Sequence, residues 1–214
     1  MKLNKTIQQW KQYSKMSDLG EIARRKFFNN CFDGALTCSG IVSGIFIIFL
    51  SGSSIFIPRN VIITGFATAL AIGISGLWGA FLSEEAERKK KMLDMKKEMA
   101  IIEEEGDEKT GKPKKNNIQD KPLLERAENF ATIIASLVDG GAPVLGSSLP
   151  LIPFFFGSSL TIVHFISSYV ILIGLLIYLG IFLGKISGGG RIRYALHLVT
   201  AGGVTLLVSL ALGI

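Results

Sequence analysis

The chain has 214 residues, of which 49% are hydrophobic and only 19% are charged, and its formal net charge is +6. A soluble domain usually carries about 25% charged residues, so the composition argues against a large soluble core. The charges are also confined to a few segments. Membrane topology explains such a basic distribution without a nucleic-acid partner.

The first 30 residues are polar, with apolar residues spaced between basic ones. This pattern predicts an amphipathic segment on the cytoplasmic face of a membrane, with Trp10 at headgroup level. Two features predict a break within it. One is Gly20, and the other is Ser17-Asp18 acting as a new N-cap.

Four uncharged or nearly uncharged stretches follow, and a helix needs about 20 residues to cross a bilayer. They predict five transmembrane helices at about 34–57, 61–83, 129–155, 159–184 and 194–214. The first two are separated by a short turn containing Pro58, which predicts a tight antiparallel hairpin. All Lys and Arg residues except Arg59 fall on one side of these spans, so the positive-inside rule places the N-terminus in the cytoplasm and the C-terminus outside.

The second span continues without a Gly or Pro break into good helix formers up to Gly106. We therefore predict one long helix that leaves the membrane and projects into the cytoplasm, followed by a linker. The predicted organisation is an N-terminal segment, a transmembrane hairpin, a cytoplasmic segment and three further spans, at 1–30, 31–83, 84–126 and 127–214.

Carboxylates and thioethers share one half of this cytoplasmic helix. With a rotation of 100° per residue around the helix axis, the carboxylates fall within an arc of about 80°, and the methionines lie in the adjoining arc. The residues are Glu84, Glu87, Asp94 and Glu98, with Met95 and Met99. Such a mixed set suits weak binding of Fe²⁺ or a similar divalent metal. A solvated helix whose methionines pack on a partner would give the same pattern.

Two aspartates lie in the predicted spans in similar contexts, Asp33 in "DGALTCSG" and Asp139 in "DGGAPVLG". A carboxylate inside a membrane costs about 2.5–3.5 kcal/mol on insertion scales. No Lys or Arg occurs within the first four spans to pair with them. We therefore expect Asp33 and Asp139 to bind a cation or carry a proton. For Asp33, an N-cap at the interface is an alternative.

Small residues and prolines mark the helix contacts. Gly40 and Gly44 allow close packing of the first span, either within the hairpin or in a homodimer that brings two Asp33 carboxylates together. The prolines of the third span, Pro143, Pro150 and Pro153, free backbone carbonyls and predict that it faces a neighbour or a cavity. His164 is a candidate for metal binding, proton relay or a simple hydrogen bond.

Three sequence blocks occur in the same order as motifs of a known family: "FDGALTCSGIVSG", "ISGLWGAFLSEEAE" and "GSSLPLIPFF". They resemble motifs of the vacuolar iron transporter family, of which the chain would be a divergent prokaryotic member. The resemblance implies a homodimer packed through the first spans and exchange of Fe²⁺ or Mn²⁺ against protons. By position it implies that Asp33 binds the transported ion and that Glu84 and Glu87 begin a cytoplasmic metal-binding region.

Two positions depart from the family pattern. The expected second-span methionine falls on Gly76, and the expected glutamate falls on Ala80. Asp139 would supply a compensating ligand.

The sequence therefore predicts an exporter of divalent metal in a prokaryotic plasma membrane, with no catalytic activity and no cofactor besides its metal cargo. A membrane metal sensor or scaffold is the first alternative. An intramembrane aspartyl enzyme is disfavoured because Asp139 lacks the Gly-x-Gly-Asp context of that class.

Overall fold

Five long helices make up most of the chain. The computed structural model describes residues 10–11, 14–15, 18–52, 57–106 and 121–212, apart from the side chains of 91–92, 95–96, 98–106, 121–125, 210 and 212. The helices are α1 (Leu19–Leu50), α2 (Pro58–Gly106), α3 (Lys121–Leu151), α4 (Ile162–Ile186) and α5 (Arg191–Leu212), and a 3-10 helix at Ile152–Phe155 continues α3. The described ranges contain no strand, which confirms the all-α prediction.

Each helix contains a stretch that is long and apolar enough to cross a membrane. The candidate spans are Leu19–Leu50, Pro58–Lys90, Arg126–Phe155, Ile162–Ile186 and Arg191–Ser209. Large apolar side chains such as Trp78 and Ile192 remain exposed on their outer faces. Helices that are apolar on both their packed and their outer faces are typical of membrane spans. The prediction of five such helices is confirmed.

Helix α1 begins earlier than the sequence suggested. Asp18 has a left-handed backbone with φ 48°, and its carbonyl accepts the first helical bonds from Glu21 and Ile22. Asp18 is the N-cap residue of α1, as predicted, but its side chain makes no cap hydrogen bond, and Ser17 lies outside the described residues. From Leu19 onward the segment predicted to lie on the membrane surface is part of the first span. The predicted boundary between residues 30 and 31 therefore falls inside a continuous helix.

Helix α2 is unbroken from Pro58 to Gly106, so the prediction of a single long helix ending at Gly106 is confirmed. Its second half is rich in charged residues, chiefly Glu and Lys, together with Met and Ala. These are strong helix formers, which explains why the helix continues beyond its apolar part. The predicted linker after Gly106 lies outside the described residues.

Helix α3 is the centre of the bundle and packs against both α1 and α2, whereas α1 and α2 have few direct contacts with each other. The prediction of a tight hairpin between the first two spans is therefore wrong. A short connection brings two helices near each other, but it does not decide which faces pack. Pro143 and Pro150 are fully buried, so α3 does turn its prolines towards neighbouring helices.

Glycines bring α1 and α3 into backbone contact at two places. A β-carbon on Gly34 would collide with the Pro143 carbonyl, and one on Gly146 would collide with the Cys31 carbonyl. The Ser147 hydroxyl bridges the same contact, because its oxygen lies 2.9 Å from the Gly34 carbonyl oxygen and 2.8 Å from that of Pro143. Small residues of this kind let membrane helices approach closely.

The remaining two helices form a pair that closes against α1. Gly180 of α4 lies directly against the backbone of Ala195 on α5. Leu172, Leu176 and Leu179 of α4 then form a buried cluster with apolar residues of α1, α3 and α5. Both cysteines, Cys31 and Cys38, are free and buried within the bundle.

Candidate ion-pair site

Four polar side chains from three helices meet at one end of the bundle, and we call them the ion-pair site: Lys26 and Asn30 of α1, Glu84 of α2 and Asp139 of α3. The Lys26 ammonium lies 3.2 Å from Asp139 Oδ2 and 3.7 Å from Glu84 Oε1. Asn30 Nδ2 donates to Asp139 Oδ1. One lysine therefore bridges two carboxylates that come from different helices.

The α1 members are positioned by helix geometry. Lys26 and Asn30 are four residues apart and share one face of α1, and Asn30 Nδ2 also donates to the Lys26 carbonyl at 2.9 Å. The bridging Lys26 and Asp139 side chains are only 20% and 17% exposed, while Glu84 is 36% exposed. The ion pair between Lys26 and Asp139 is thus more shielded from solvent than the ion pair between Lys26 and Glu84.

The backbone of α3 is tightly constrained at Asp139. Pro143 has no N–H to donate to the Asp139 carbonyl, so that oxygen lacks its helical partner. A β-carbon on Gly76 of α2 would lie 3.1 Å from it, and one on Gly140 would lie 2.5 Å from the Gly73 carbonyl oxygen. Helices α2 and α3 therefore pack closely here, and a side chain at position 76 would require the backbone at Asp139 to give way by a few tenths of an ångström. This contact gives a physical reason for the departure at Gly76.

The structure corrects the prediction that Asp139 has no basic neighbour. Because α1 extends back to Leu19, Lys26 lies on the same helix as the first span and reaches Asp139. Glu84, which shares the lysine, is the first charged residue after the uncharged part of α2. Asp139 therefore lies where the charged and uncharged parts of the bundle meet, and not deep within the apolar part.

Asp33 lies on a different surface. Its side chain is exposed, and its backbone carbonyl accepts a 2.9 Å hydrogen bond from the Thr37 hydroxyl, a bond internal to α1. A β-carbon on Gly40, seven residues further on, would meet nothing within 4 Å. Asp33, Thr37 and Gly40 thus form an outward face of α1, which we call the α1 outer face.

The acidic residues predicted along α2 whose side chains the structure describes do not gather into one site. Glu84 belongs to the ion-pair site, Glu87 and Asp94 are exposed, and the side chains of Met95, Glu98 and Met99 lie outside the described residues. Within the part of the chain that the structure describes, no three His, Cys, Asp or Glu side chains are grouped so that they could hold a metal ion.

Basic residues balance the acids along the same part of α2. Lys89 Nζ lies 2.7 Å from Glu85 Oε1, one helical turn away. Arg88 Nη1 donates to Asn129 Oδ1 of α3, and its buried Nε has no hydrogen-bond partner. The sequence pattern does not indicate Lys26, Asn30, Arg88 or Asn129 as members of a site. Extending the first helix through residues 19–33 would have placed Lys26 and Asn30 on the face that carries the site.

A separate cavity of about 350 Å³ lies between α1, α4 and α5. Its walls are almost entirely apolar, with Phe46, Leu172, Leu176 and Leu206 among them, and Ser39 at its edge. Divalent cations require oxygen, nitrogen or sulfur ligands, so this cavity is not suited to hold one. Among the predicted cation ligands, Glu84 and Asp139 lie in the ion-pair site and Asp33 lies on the α1 outer face.

Comparison with known proteins identified one informative relative. The chain is 33% identical over 169 residues to Uncharacterized protein MJ0645 of Methanocaldococcus jannaschii, a match that covers 78% of this chain and 76% of the relative. No protein-family model matches the chain.

Proposed function

We propose cation transport as the function of this chain, which belongs to the same family as the Methanocaldococcus jannaschii protein. The proposed cargo is a divalent metal such as Fe²⁺ or Mn²⁺, exported from the cytosol of a prokaryote across its plasma membrane in exchange for protons. The observation that supports this function is the ion-pair site, where two carboxylates on separate helices share a single ammonium.

The charge of the site suits a cation. Glu84 and Asp139 carry two negative charges against the single positive charge of Lys26, so the three side chains retain one net negative charge. Carboxylate oxygens are the ligands that hard divalent cations prefer. Because the lysine ammonium is a point charge on a flexible stem, it can withdraw when a divalent ion takes its place. Protonation of the carboxylates then favours release of the ion and supplies the exchange.

The distribution of basic residues supports the direction of export. Lys and Arg are concentrated at the end of the bundle that holds the ion-pair site, and the positive-inside rule places that end in the cytoplasm. In this orientation the extension of α2 beyond residue 84 projects into the cytoplasm. Its acidic residues would attract cations towards the site.

The α1 outer face supports a homodimer as the transporting form. Asp33 is exposed there, and a carboxylate at the edge of an apolar helix is costly unless it is paired or hydrated. Gly40 leaves room for another helix to approach. A second copy packed on this face would bring two Asp33 side chains together, and their carboxylates would add to the ligands of each subunit.

Cysteine cross-linking tests this dimer. The native cysteines are buried, so a Gly40→Cys variant carries one accessible thiol on the α1 outer face. We expect mild oxidation in membranes to convert most of it to a covalent dimer, because two-fold packing through α1 brings the two thiols within disulfide distance. Gly174→Cys on α4 is a matched control, since a β-carbon there also meets nothing within 4 Å. Equal cross-linking of both variants would contradict a dimer through α1.

Transport itself is tested with purified protein in liposomes that contain a Mn²⁺-sensitive dye, with a pH-sensitive dye in parallel. We expect Mn²⁺ influx accompanied by opposite proton flux, and at least about tenfold slower influx for Asp139→Asn and for Asp33→Asn, which corresponds to 1.4 kcal/mol or more per ligand. Asp18→Asn, which alters an exposed carboxylate outside the site, is the control. Full transport by both site variants would remove the proposed roles.

A second candidate function is a membrane metal sensor that binds metal without moving it. The contact between Gly76 and the Asp139 carbonyl favours it, since α3 fills the space where the resemblance places a pathway ligand. Titration calorimetry with Fe²⁺, Mn²⁺ and Zn²⁺ separates the two functions when it is combined with the flux assay. Binding without flux identifies the sensor, and binding with flux identifies the transporter.

A further inference from the structure

The apolar cavity between α1, α4 and α5 opens on the surface of the bundle at about the middle of the candidate spans. Two of its lining residues, Ile173 and Gly203, stand near the middle of α4 and α5. Ile173 is 45% exposed and Gly203 is exposed, so the cavity is reached from the outer surface. Its volume of about 350 Å³ falls in the range of ligand-binding cavities, about 300–1,000 Å³.

The walls of this cavity suit a hydrocarbon chain better than water. Its lining residues carry two side-chain hydroxyls, those of Ser39 and Tyr169, and Tyr169 is already engaged with Ser43 at 3.0 Å. A buried water typically makes about three hydrogen bonds, which these walls do not supply. Because the outer surface of a membrane bundle is covered by lipid, a lipid chain is the apolar group at hand.

Three basic side chains flank the turn that joins α4 to α5. Lys185 lies in the last turn of α4, Arg191 and Arg193 lie at the start of α5, and all three are exposed. Residues 140–214 contain no Asp or Glu, so neither helix supplies a carboxylate to balance these charges. In the orientation proposed above the turn lies at the cytoplasmic surface, where anionic lipid headgroups attract basic residues.

The distance between the basic residues and the cavity matches one leaflet of a bilayer. Val199 lines the cavity and follows Arg191 by eight residues, which is about 12 Å along a helix. Leu176 lines it from α4 and precedes Lys185 by nine residues, or about 14 Å. Half of the hydrocarbon core is about 15 Å thick. A lipid whose headgroup lies at the α4–α5 turn therefore has the end of its chain at the depth of the cavity.

We propose that this region binds one anionic phospholipid. Lys185, Arg191 and Arg193 bind its phosphate group, and one of its hydrocarbon chains enters the cavity between α1, α4 and α5. The chain fills the space that separates α1 from the other two helices there, so the bound lipid stabilises the bundle. The site shares no residue with the ion-pair site and does not depend on the proposed cation transport.

Lipid-dependent thermal stability tests the proposal. Purified protein in detergent is heated with phosphatidylglycerol or with phosphatidylcholine of identical chains, each at a saturating concentration. A ligand at about 100 times its dissociation constant should raise the melting temperature of a chain of this size on the order of 5 °C, and we expect this from phosphatidylglycerol alone. Glycerol 3-phosphate, which carries the phosphate without the chains, should have no effect. Equal stabilisation by phosphatidylcholine or by glycerol 3-phosphate overturns the proposal.

A cavity-filling variant tests the chain-binding part. Gly203→Phe adds a ring at a position where a β-carbon meets nothing within 4 Å and which lines the cavity. Gly174→Phe is the matched control, because a β-carbon there also meets nothing within 4 Å. We expect the apparent affinity for phosphatidylglycerol to fall at least about tenfold for Gly203→Phe, a loss of about 1.4 kcal/mol, and to be retained for Gly174→Phe. Equal affinities for the two variants overturn the proposed chain position.

A charge-removing variant tests the headgroup part and does not alter the packed interior. Arg191→Gln combined with Arg193→Gln removes two exposed charges at the turn. Lys89→Gln combined with Lys90→Gln removes the same charge from an exposed part of α2. Each basic residue near an anionic membrane surface contributes roughly fivefold to binding, so we expect at least about tenfold weaker binding of phosphatidylglycerol for the arginine variant only. An affinity equal to that of the lysine variant overturns the proposed headgroup site.

Discussion

Replacing Gly146 with alanine is expected to destabilise the protein strongly, although alanine is normally the better helix former. The added β-carbon would collide with the carbonyl of Cys31 on α1, and a backbone atom cannot move aside as the end of a flexible side chain can. Overpacking of this kind costs about 3 kcal/mol. We expect the melting temperature of the purified protein to fall on the order of 10 °C, as measured by loss of the monodisperse peak in size-exclusion chromatography after heating.

Gly141 provides a matched control on the same helix. It is exposed, and a β-carbon there meets nothing within 4 Å. Gly141→Ala should therefore leave the melting temperature unchanged or raise it slightly, because alanine favours a helix over glycine by about 1 kcal/mol. Equal melting temperatures for the two variants would mean that α1 and α3 do not approach as closely as the structure shows.

The contrast between these two glycines shows that the sequence of a membrane helix bundle does not indicate which glycines lie at helix contacts. Both stand in the same glycine-rich helix, and both fit a general pattern of small residues in membrane spans. Apolar residues surround most of each span, so hydrophobic periodicity does not indicate which face meets which neighbour. For this reason the sequence predicted that the first two spans pack on each other, whereas Gly34 and Gly73 in fact pack against α3.

The number of spans and the length of α2 were predicted correctly from the sequence. The five spans follow from the lengths of the uncharged stretches, and the long α2 follows from its lack of a breaker before Gly106. The sequence pattern placed the start of α1 too late because residues 19–33 mix charged and apolar side chains, as an amphipathic surface segment does. Because Lys26 was assigned to a surface segment and not to the first span, the sequence predicted no basic partner for Asp139. In the structure that partner is Lys26, on the neighbouring helix α1.

Replacing Lys26 with methionine is expected to remove the cation that holds Asp139 and Glu84 together. Removing one member of a shielded ion pair leaves an unpaired charge and costs about 3 kcal/mol. We expect a lower melting temperature than that of the unaltered protein at about pH 7.5, where carboxyl groups are ionised. Arg25→Met, an exposed change one residue earlier on α1, is the control and should have little effect. A melting temperature of Lys26→Met equal to that of Arg25→Met would show that the ion pair contributes no stability.

The same variant also tests whether a metal can occupy the position that the lysine leaves. If Glu84 and Asp139 form part of a cation site, Mn²⁺ should raise the melting temperature of Lys26→Met more than that of the unaltered protein, because no ammonium competes for the carboxylates. The double variant Lys26→Met with Asp139→Asn should lose this extra stabilisation. Equal effects of Mn²⁺ on all three proteins would mean that the two carboxylates serve only to join α2 and α3 through Lys26, and the cation site would have to lie elsewhere.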